Sequence, residues 1–454
     1  MASFNISENV RHLISIVNSQ SAMERLDPFF HKNEYIELRK SFTDKGFKPL
    51  SDIINSWDRG DGPRDGFYTD NENEIFFLRV QNLKENSIDL TDVKFIYRHI
   101  HNTKLLRSQV KPGDIVLAIS GTKNNLGTIS IIPNNIKEAN LNSALVKLSI
   151  DKNINKDFFC LLFDLDFVRA QIDFIGKGAA QNNINYQEFS SIKVPDISSQ
   201  KQDEIVHMYQ LAKEKAKQSC QQAQILLNSI NDYLLNELQI GLPQTDNSLE
   251  NRIFTVQMNE ISGGQFDAQS QFNKHYRIQG GKYKNEPLNK LAILQKGQSI
   301  TSDEVIEGDY PVIAGGQTSP YNHHISNHNG NVITVSASGA YSGYVWYHDY
   351  PIFASDCTMI FSQNEDRIST KFLAEILKLK QQEIYLLQKG AGQPHVYSSD
   401  LEQLEIPVPP PVTQKKIINH ICQIRQTASD LQIAANNELI KTKANIEKMI
   451  LGVS

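Results

Sequence analysis

Apolar positions along the chain follow two periods that alternate in blocks. Short apolar runs bounded by turn residues at Ile75–Val80, Asp114–Ser120, Thr128–Ile132, Ala144–Leu148 and Ile192–Pro195 predict strands. A later series, Tyr310–Ala314, Asn331–Ala337, Tyr344–Tyr347 and Thr358–Phe361, has the same character. Val10, Leu13, Ile14 and Val17 predict one short helix within residues 1–24, and amphipathic helices are predicted over Lys156–Gln171 and Thr370–Leu387. Two much longer helices follow. In Lys201–Ile240, the positions Ile205, Met208, Ala212, Ala216, Cys220, Ala223, Leu227, Ile230, Leu234 and Leu238 step by three or four. In Gln414–Leu451, Ile417, Ile421, Ile424, Ala428, Leu431, Ala435, Leu439, Ile446 and Ile450 do likewise, apart from one step of seven after Leu439. So narrow a stripe fits a coiled-coil seam, each helix serving the other as partner. About forty helical residues span roughly 60 Å, which suits a spacer between two domains better than one domain's own core. The alternative is that each helix packs on its own domain.

The blocks repeat. Lys177–Pro195 reads KGAAQNNINYQEFSSIKVP, and Lys389–Pro411 reads KGAGQPHVYSSDLEQLEIPVPPP. Gln181 and Gln393 are 393 − 181 = 212 positions apart, as are Pro195 and Pro407, and Gln202 and Gln414. Three matches at one ungapped offset mark an internal duplication. Arg25–Phe30 and Gln265–Gln269 open the two copies, which cover roughly residues 25–241 and 265–452. The predicted organisation is an N-terminal helix (1–24), a mixed α/β domain (25–198), a long helix (199–242), a connector (243–264), a second α/β domain (265–411) and a second long helix (412–454).

Bulk composition adds bounds. A chain of 454 residues with 40% apolar and 21% charged residues is ordinary for a soluble protein of two to four domains. Cys160, Cys220, Cys357 and Cys422 are scattered without CxxC spacing, which argues against structural zinc and a disulfide framework and fits a reducing cytosol. The N-terminus has no signal-peptide pattern, and no run of ~18 apolar residues occurs. A cytoplasmic protein without a membrane partner is expected. The net charge of −5 counts against nucleic-acid binding only as an average over faces.

Enzyme signatures are missing from the sequence. Asp27-Pro28-Phe29-Phe30 comes nearest to an amino-methyltransferase motif but lacks its second proline, and no Gly-rich cofactor loop accompanies it. Gly390-Ala391-Gly392 has no third glycine at dinucleotide spacing, and no P-loop, GxSxG or HExxH is present. Asp114 and Asp196 read as strand-end and turn residues. Contact chemistry is more evident. Val93–Gly113 contains no acidic residue but holds Lys94, Arg98, Lys104, Arg107 and Lys111 beside Phe95 and Tyr97, a set suited to phosphates or guanine edges. The alternative is a solvated basic face. Tyr310–His348 contains no charged residue other than its histidines and supplies Gln317, Thr318, Tyr321, His323 and His324 on Gly-rich backbone. The alternative there is an ordinary polar loop, and adjacent His323 and His324 do not make a metal site. In the repeated turns, Lys177, Gln181, Asn182 and Asn183 match Lys389, Gln393, Pro394 and His395. The glutamines either touch bases or cap their turns.

The strand GDIVLAISGT, the turn GGQTSPYN, the run SGAYSGYVWY and above all KGAGQPHVYSSDLEQLEIPVPPPVTQKKI resemble the specificity (S) subunit of type I restriction–modification enzymes, the HsdS family. The likeness covers roughly residues 25–452. It is weaker in the first copy, where Asp196-Ile197 stands in place of Val408-Pro409. The resemblance implies an α+β fold: two mixed α/β target-recognition domains related by duplication, separated by two long antiparallel coiled-coil-like helices. It implies that each domain reads one half of a split double-stranded DNA target. Two DNA adenine-methyltransferase subunits would hold S-adenosylmethionine, motor–nuclease subunits would complete the assembly, and this chain would hold no cofactor, metal or catalytic residue. Thr122 and Tyr341, in the matching runs, and Lys123, directly after the first, join the residues above as candidate DNA contacts. The competing expectations are a related bipartite system whose methylase and nuclease are fused, a stand-alone methyltransferase or nuclease with an unfamiliar site, and a protein-binding coiled-coil adaptor.

Overall fold

The structure is a computed structural model that describes residues 37, 40, 42, 44–62, 66–84, 87–175, 182–243, 255, 276–390 and 392–452. The expected helix within residues 1–24 and the phrases opening the two copies lie outside these residues. The chain divides into two compact units, Met1–Gln218 with Ala434–Ser454, and Ser219–Ile433.

In the first unit, a four-stranded antiparallel sheet runs in the order Ile129–Ile131, Ile115–Ala118, Leu145–Ile150, Ile54–Arg59. The run Ile115–Ala118 is apolar at every position because both its faces are covered. Side chains alternate across a strand, so Ile115 and Leu117 enter one core and Val116 and Ala118 another. A five-stranded sheet holds the parallel pair Ile75–Leu78 and Ala139–Leu141.

The second unit repeats the plan. Its four-stranded antiparallel sheet runs Ala292–Lys296, Cys357–Ser362, Val332–Ser336, Val345–His348. Ile333, Val335 and Ile360 face one core, and Val332, Cys357 and Met359 the other. Here too a parallel pair, Tyr310–Ile313 with Phe353–Ala354, lies in a second sheet. The duplication extends to a two-stranded ribbon, Lys48–Pro49 with Lys193–Val194 in one unit and Asn285–Pro287 with Glu405–Pro407 in the other. The segment ending at Pro407 therefore pairs only within its ribbon and does not close the main sheet.

Each predicted amphipathic helix is broken into two. Lys156–Leu162 is followed by Asp166–Ile175, and Thr370–Leu379 by Gln381–Tyr385. Their N-termini are capped by side chains: Asn155 accepts the N–H groups of Asp157 and Phe158, and Ser369 accepts that of Phe372.

The long helices span Ser199–Leu238 and Pro411–Leu451. Within each unit, the stretches present pair antiparallel. Lys215 meets Glu438 at 3.2 Å in the first unit, and in the second Lys416 meets Glu237 at 3.0 Å while His420 lies against Tyr233. Ala212, Ala216, Ala223, Ala428 and Ala435 are buried, so small residues line the middle of both helices. Cys220, placed in the stripe by spacing, is exposed.

Candidate nucleic-acid interface

In the first unit, the buried strand Ile115–Ala118 leads directly to Ser120–Gly121, which pairs antiparallel with Asn182–Asn183. Beyond it, the exposed loop with Thr122 and Lys123 returns through Gly127. That glycine has φ +74° and lies so close to Ile172 that a Cβ would come within 2.7 Å of it. Lys123 pairs with Asp173 at 3.2 Å, at the surface. Asn183 is exposed.

The second unit builds the same junction. Val332–Ser336, buried throughout, leads to Ser338, which forms an antiparallel bridge with His395. Asn183 and His395 are 395 − 183 = 212 positions apart, so the sequence repeat and the structural bridge coincide. His395 sits in a tight hairpin, exchanging backbone hydrogen bonds with Lys389 at 2.8 and 2.9 Å. Gly339 donates to Pro394 O and Val396 donates to Ala337 O, both at 3.0 Å. A third loop joins them, since a Cβ on Gly315 would fall 2.6 Å from Ser338 O. Gln317, Thr318, Tyr341, Gln393 and Tyr397 are exposed around this convergence. Gln317 bonds the Tyr385 hydroxyl. Ser338 Oγ donates to Asp356, which places a carboxylate within the cluster. Hydroxyl, amide, imidazole and carboxylate groups here offer both donors and acceptors for base edges, and the glycines allow close approach.

Several expected contacts stand apart from these junctions. His323 is only 3% exposed, and its Nδ1 accepts the Ile306 N–H at 3.1 Å, so it faces inward. Exposed His324 lies at the opposite end of Tyr310–Ile313 from Gly315, because Tyr310 pairs with His323. Tyr321 is exposed between the two ends, its carbonyl bonded to Val312 N–H. Lys389 pairs with Asp400 at 2.6 Å and lies over the Tyr397 ring, so its charge is balanced within the protein.

The basic stretch of the first unit is divided. Lys94 pairs in register with Phe77, close to Val80, which borders Gly121. Lys104 and Arg107 are exposed beside the Leu105–Ser108 turn that Asn140 holds, and exposed Lys111 takes part in the turn with Asp114 that precedes Ile115–Ala118. Arg98 bonds Glu138 at 2.6 Å and holds that carboxyl below its usual range. Lys177 and Gln181 lie outside the described residues, and for Asn182 only the backbone pairing is described.

Among the described residues, no group of three His, Cys, Asp or Glu side chains is placed to hold a metal ion. No helix of the described residues is long and apolar enough to cross a membrane. Spacing missed the part played by Gln202 and Gln414. Both are buried and accept the backbone N–H of a distant helix cap, Asn155 at 2.9 Å and Ser369 at 3.0 Å. The matched glutamines were the available signal, but their partners lie 47 and 45 residues away.

Fold and site together define a duplicated chain whose two α/β units carry corresponding bridges and each include a stretch of both long helices. The sequence model described as the type I restriction modification DNA specificity domain matches residues 282–441. The fold is similar to a structure entitled as the basis of complex assembly and conformational transition of the type I R-M system, with TM-score 0.50, 13% identity, and coverage of 89% of this chain and 95% of that one. It is also similar to the type I restriction–modification S subunit from M. genitalium (TM-score 0.42, 13% identity, 89% and 95% covered) and to the HsdS subunit from Thermoanaerobacter tengcongensis (0.38, 15%, 89% and 96%). No curated protein matches the chain in sequence. The resemblance to type I specificity subunits read from the KGAGQ turn is borne out.

Proposed function

We propose that the chain is a non-catalytic DNA-specificity subunit. Each unit reads one half of a two-part duplex target, and the long helices set the gap between the halves. The observation that carries this reading is the repeated bridge, Ser120 with Asn183 and Ser338 with His395. Each is an antiparallel pairing that starts from a serine, while the residue opposite differs, as two readers of different half-sites require. Phosphate contacts from lysine and arginine would fix register, and base-edge contacts at the two junctions would specify. The stretches of the long helices in each unit also carry exposed apolar side chains. Val412, Ile225, Leu211, Ile440 and Ile433 are exposed there, with Val412 at 82% and Ile225 at 68%. Exposed apolar side chains of this kind suit docking of a protein partner. We assign them to DNA adenine-methyltransferase subunits, which would hold S-adenosylmethionine, with motor–nuclease subunits completing the assembly.

Co-expression with a methyltransferase subunit encoded beside the chain, followed by mapping of methylated adenines across a genome, tests the reading. A single two-part motif with a fixed gap is expected. Methylation without a sequence motif, or a continuous motif, would contradict it.

A further inference from the structure

Both long helices begin at the same buried side-chain joint. In the first unit, Gln202 is 2% exposed, its Oε1 accepts the Asn155 N–H at 2.9 Å, and its Nε2 donates to Ile197 O at 3.0 Å. In the second, Gln414 is 3% exposed, its Oε1 accepts the Ser369 N–H at 3.0 Å, and its Nε2 donates to Pro409 O at 2.9 Å and Arg367 O at 2.8 Å. The partners correspond as closely as the glutamines. Ile197 and Pro409 are 409 − 197 = 212 positions apart, and Asn155 and Ser369 are each the N-cap of the helix packed beside the main sheet.

One amide thus ties three elements: the cap of the unit's helix, the strand exit, and the first turn of the long helix. Its surroundings are not repeated. Asn155 Nδ2 also bonds Asp203 in the first unit alone, and the Arg367 contact occurs in the second alone. The chain therefore keeps this joint while changing both what surrounds it and the reading junctions. A general need for stability does not favour a buried polar side chain at this point, where an apolar one of similar size would fill the space. A joint whose direction matters does favour it, because a buried amide whose oxygen and nitrogen are both engaged has one satisfied geometry.

We propose that Gln202 and Gln414 are positioning residues that fix the direction in which each long helix leaves its reading unit, and so hold the protein to one gap length between half-sites. The proposal rests on the two-part reading given above. A reader free to tilt on its helix would accept a half-site displaced by one base pair, about 3.4 Å along the duplex. A clasped reader would reject it.

The test uses the full chain in complex with its methyltransferase subunits. The probes are the duplex methylated by the wild-type complex and the same duplex with its gap lengthened by one base pair. Gln202→Met and Gln414→Met keep side-chain volume and remove the hydrogen bonds. Each is expected to lower discrimination between the two gaps about tenfold, with half-site sequences unchanged. Should either fail to fold, Gln202→Glu and Gln414→Glu, which keep the acceptor and lose the donation, are read in the same way. A second readout needs no DNA. In the chain with Cys220→Ser and Cys422→Ser, spin labels at exposed positions 104 and 211 report the first unit and its helix. Their distance distribution is expected to broaden in Gln202→Met. Folded variants with unchanged gap discrimination and an unchanged label distribution would overturn the proposal. If no gapped duplex is methylated by the wild-type complex, the two-part reading fails, and the label distribution still decides whether the glutamine fixes the helix.

Discussion

Asn183 lies opposite Ser120 in an antiparallel bridge, the place that His395 holds opposite Ser338 in the other unit. The two positions are equivalent in backbone and differ in side chain. A base contact at either should therefore affect one half-site. Asn183→Ala is expected to relax selectivity for one base of one half-site by about 1–3 kcal/mol, and His395→Ala to do so in the other. Binding competition against single-base variants of the methylated duplex measures this. A uniform loss across all variants would show that these residues hold the loops and do not read.

Cations of the first unit should separate by position. Lys94 pairs with Phe77 on the strand that runs on to Val80 beside Gly121, whereas Lys104 and Arg107 flank the Leu105–Ser108 turn that Asn140 holds. Lys94→Ala is expected to weaken DNA binding and to reduce the slope of log affinity against log salt by about one. Lys104→Ala and Arg107→Ala should leave the slope in place. Equal effects from all three would place the duplex along the whole basic stretch.

The second unit is tied to its helix by a bidentate ion pair. Arg425 meets both oxygens of Glu375 at 2.6 Å, and the side chains are 37% and 3% exposed. Removing the two partners should not cost the same. Arg425→Ala leaves a buried carboxylate unpaired and is expected to cost about 3 kcal/mol. Glu375→Ala frees a guanidinium that can turn to water and should cost about half as much. Urea denaturation of both variants gives the comparison, and equal losses would contradict the burial argument.

His348 gives the second unit a dependence on acid. The ring is fully buried beside Thr334 Oγ1 at 2.9 Å, and burial, reinforced by the nearby Lys378 charge, pushes its pKa down from 6.5 to about 4. Because the folded value is depressed, the unfolded chain takes up the proton first as pH falls. The stabilisation is complete above pH 6.5 and is lost progressively toward pH 4, amounting to about 3 kcal/mol. His348→Gln, which does not titrate there, should lose correspondingly less stability between pH 7 and pH 4. Parallel curves for variant and wild type would remove His348 as the cause.

Much of this fold was legible in the chain because duplication writes the same periods twice. Ile115–Ala118 and Val332–Ser336 are short continuous apolar runs, and both are strands with a core on each face. The long helices begin and end within a few residues of their predicted limits. The site was less legible, since burial of a polar side chain depends on what packs over it. His323 and His324 look alike in sequence, but Ile306 and Phe353 cover only the first. The basic stretch reads as one patch, yet its members are spread over the strand Lys94–Ile96, the helix Arg98–Thr103, the turn at Leu106–Ser108 and the turn that precedes Ile115. Even the repeat is incomplete in three dimensions. Where the second unit has Arg425 and Glu375, the first has Lys213, at the 212-residue offset, and Leu161, which stands as far from the Asn155 cap as Glu375 from Ser369, both beside a small cleft.

The central claim is that each unit reads its own half of the target. Replacing residues 265–411 with the corresponding segment of another such subunit, and mapping methylated adenines for the chimera and the wild-type complex, tests it directly. The account predicts that one half-site changes while the other half and the gap persist. A change in both halves, or in neither, would contradict it.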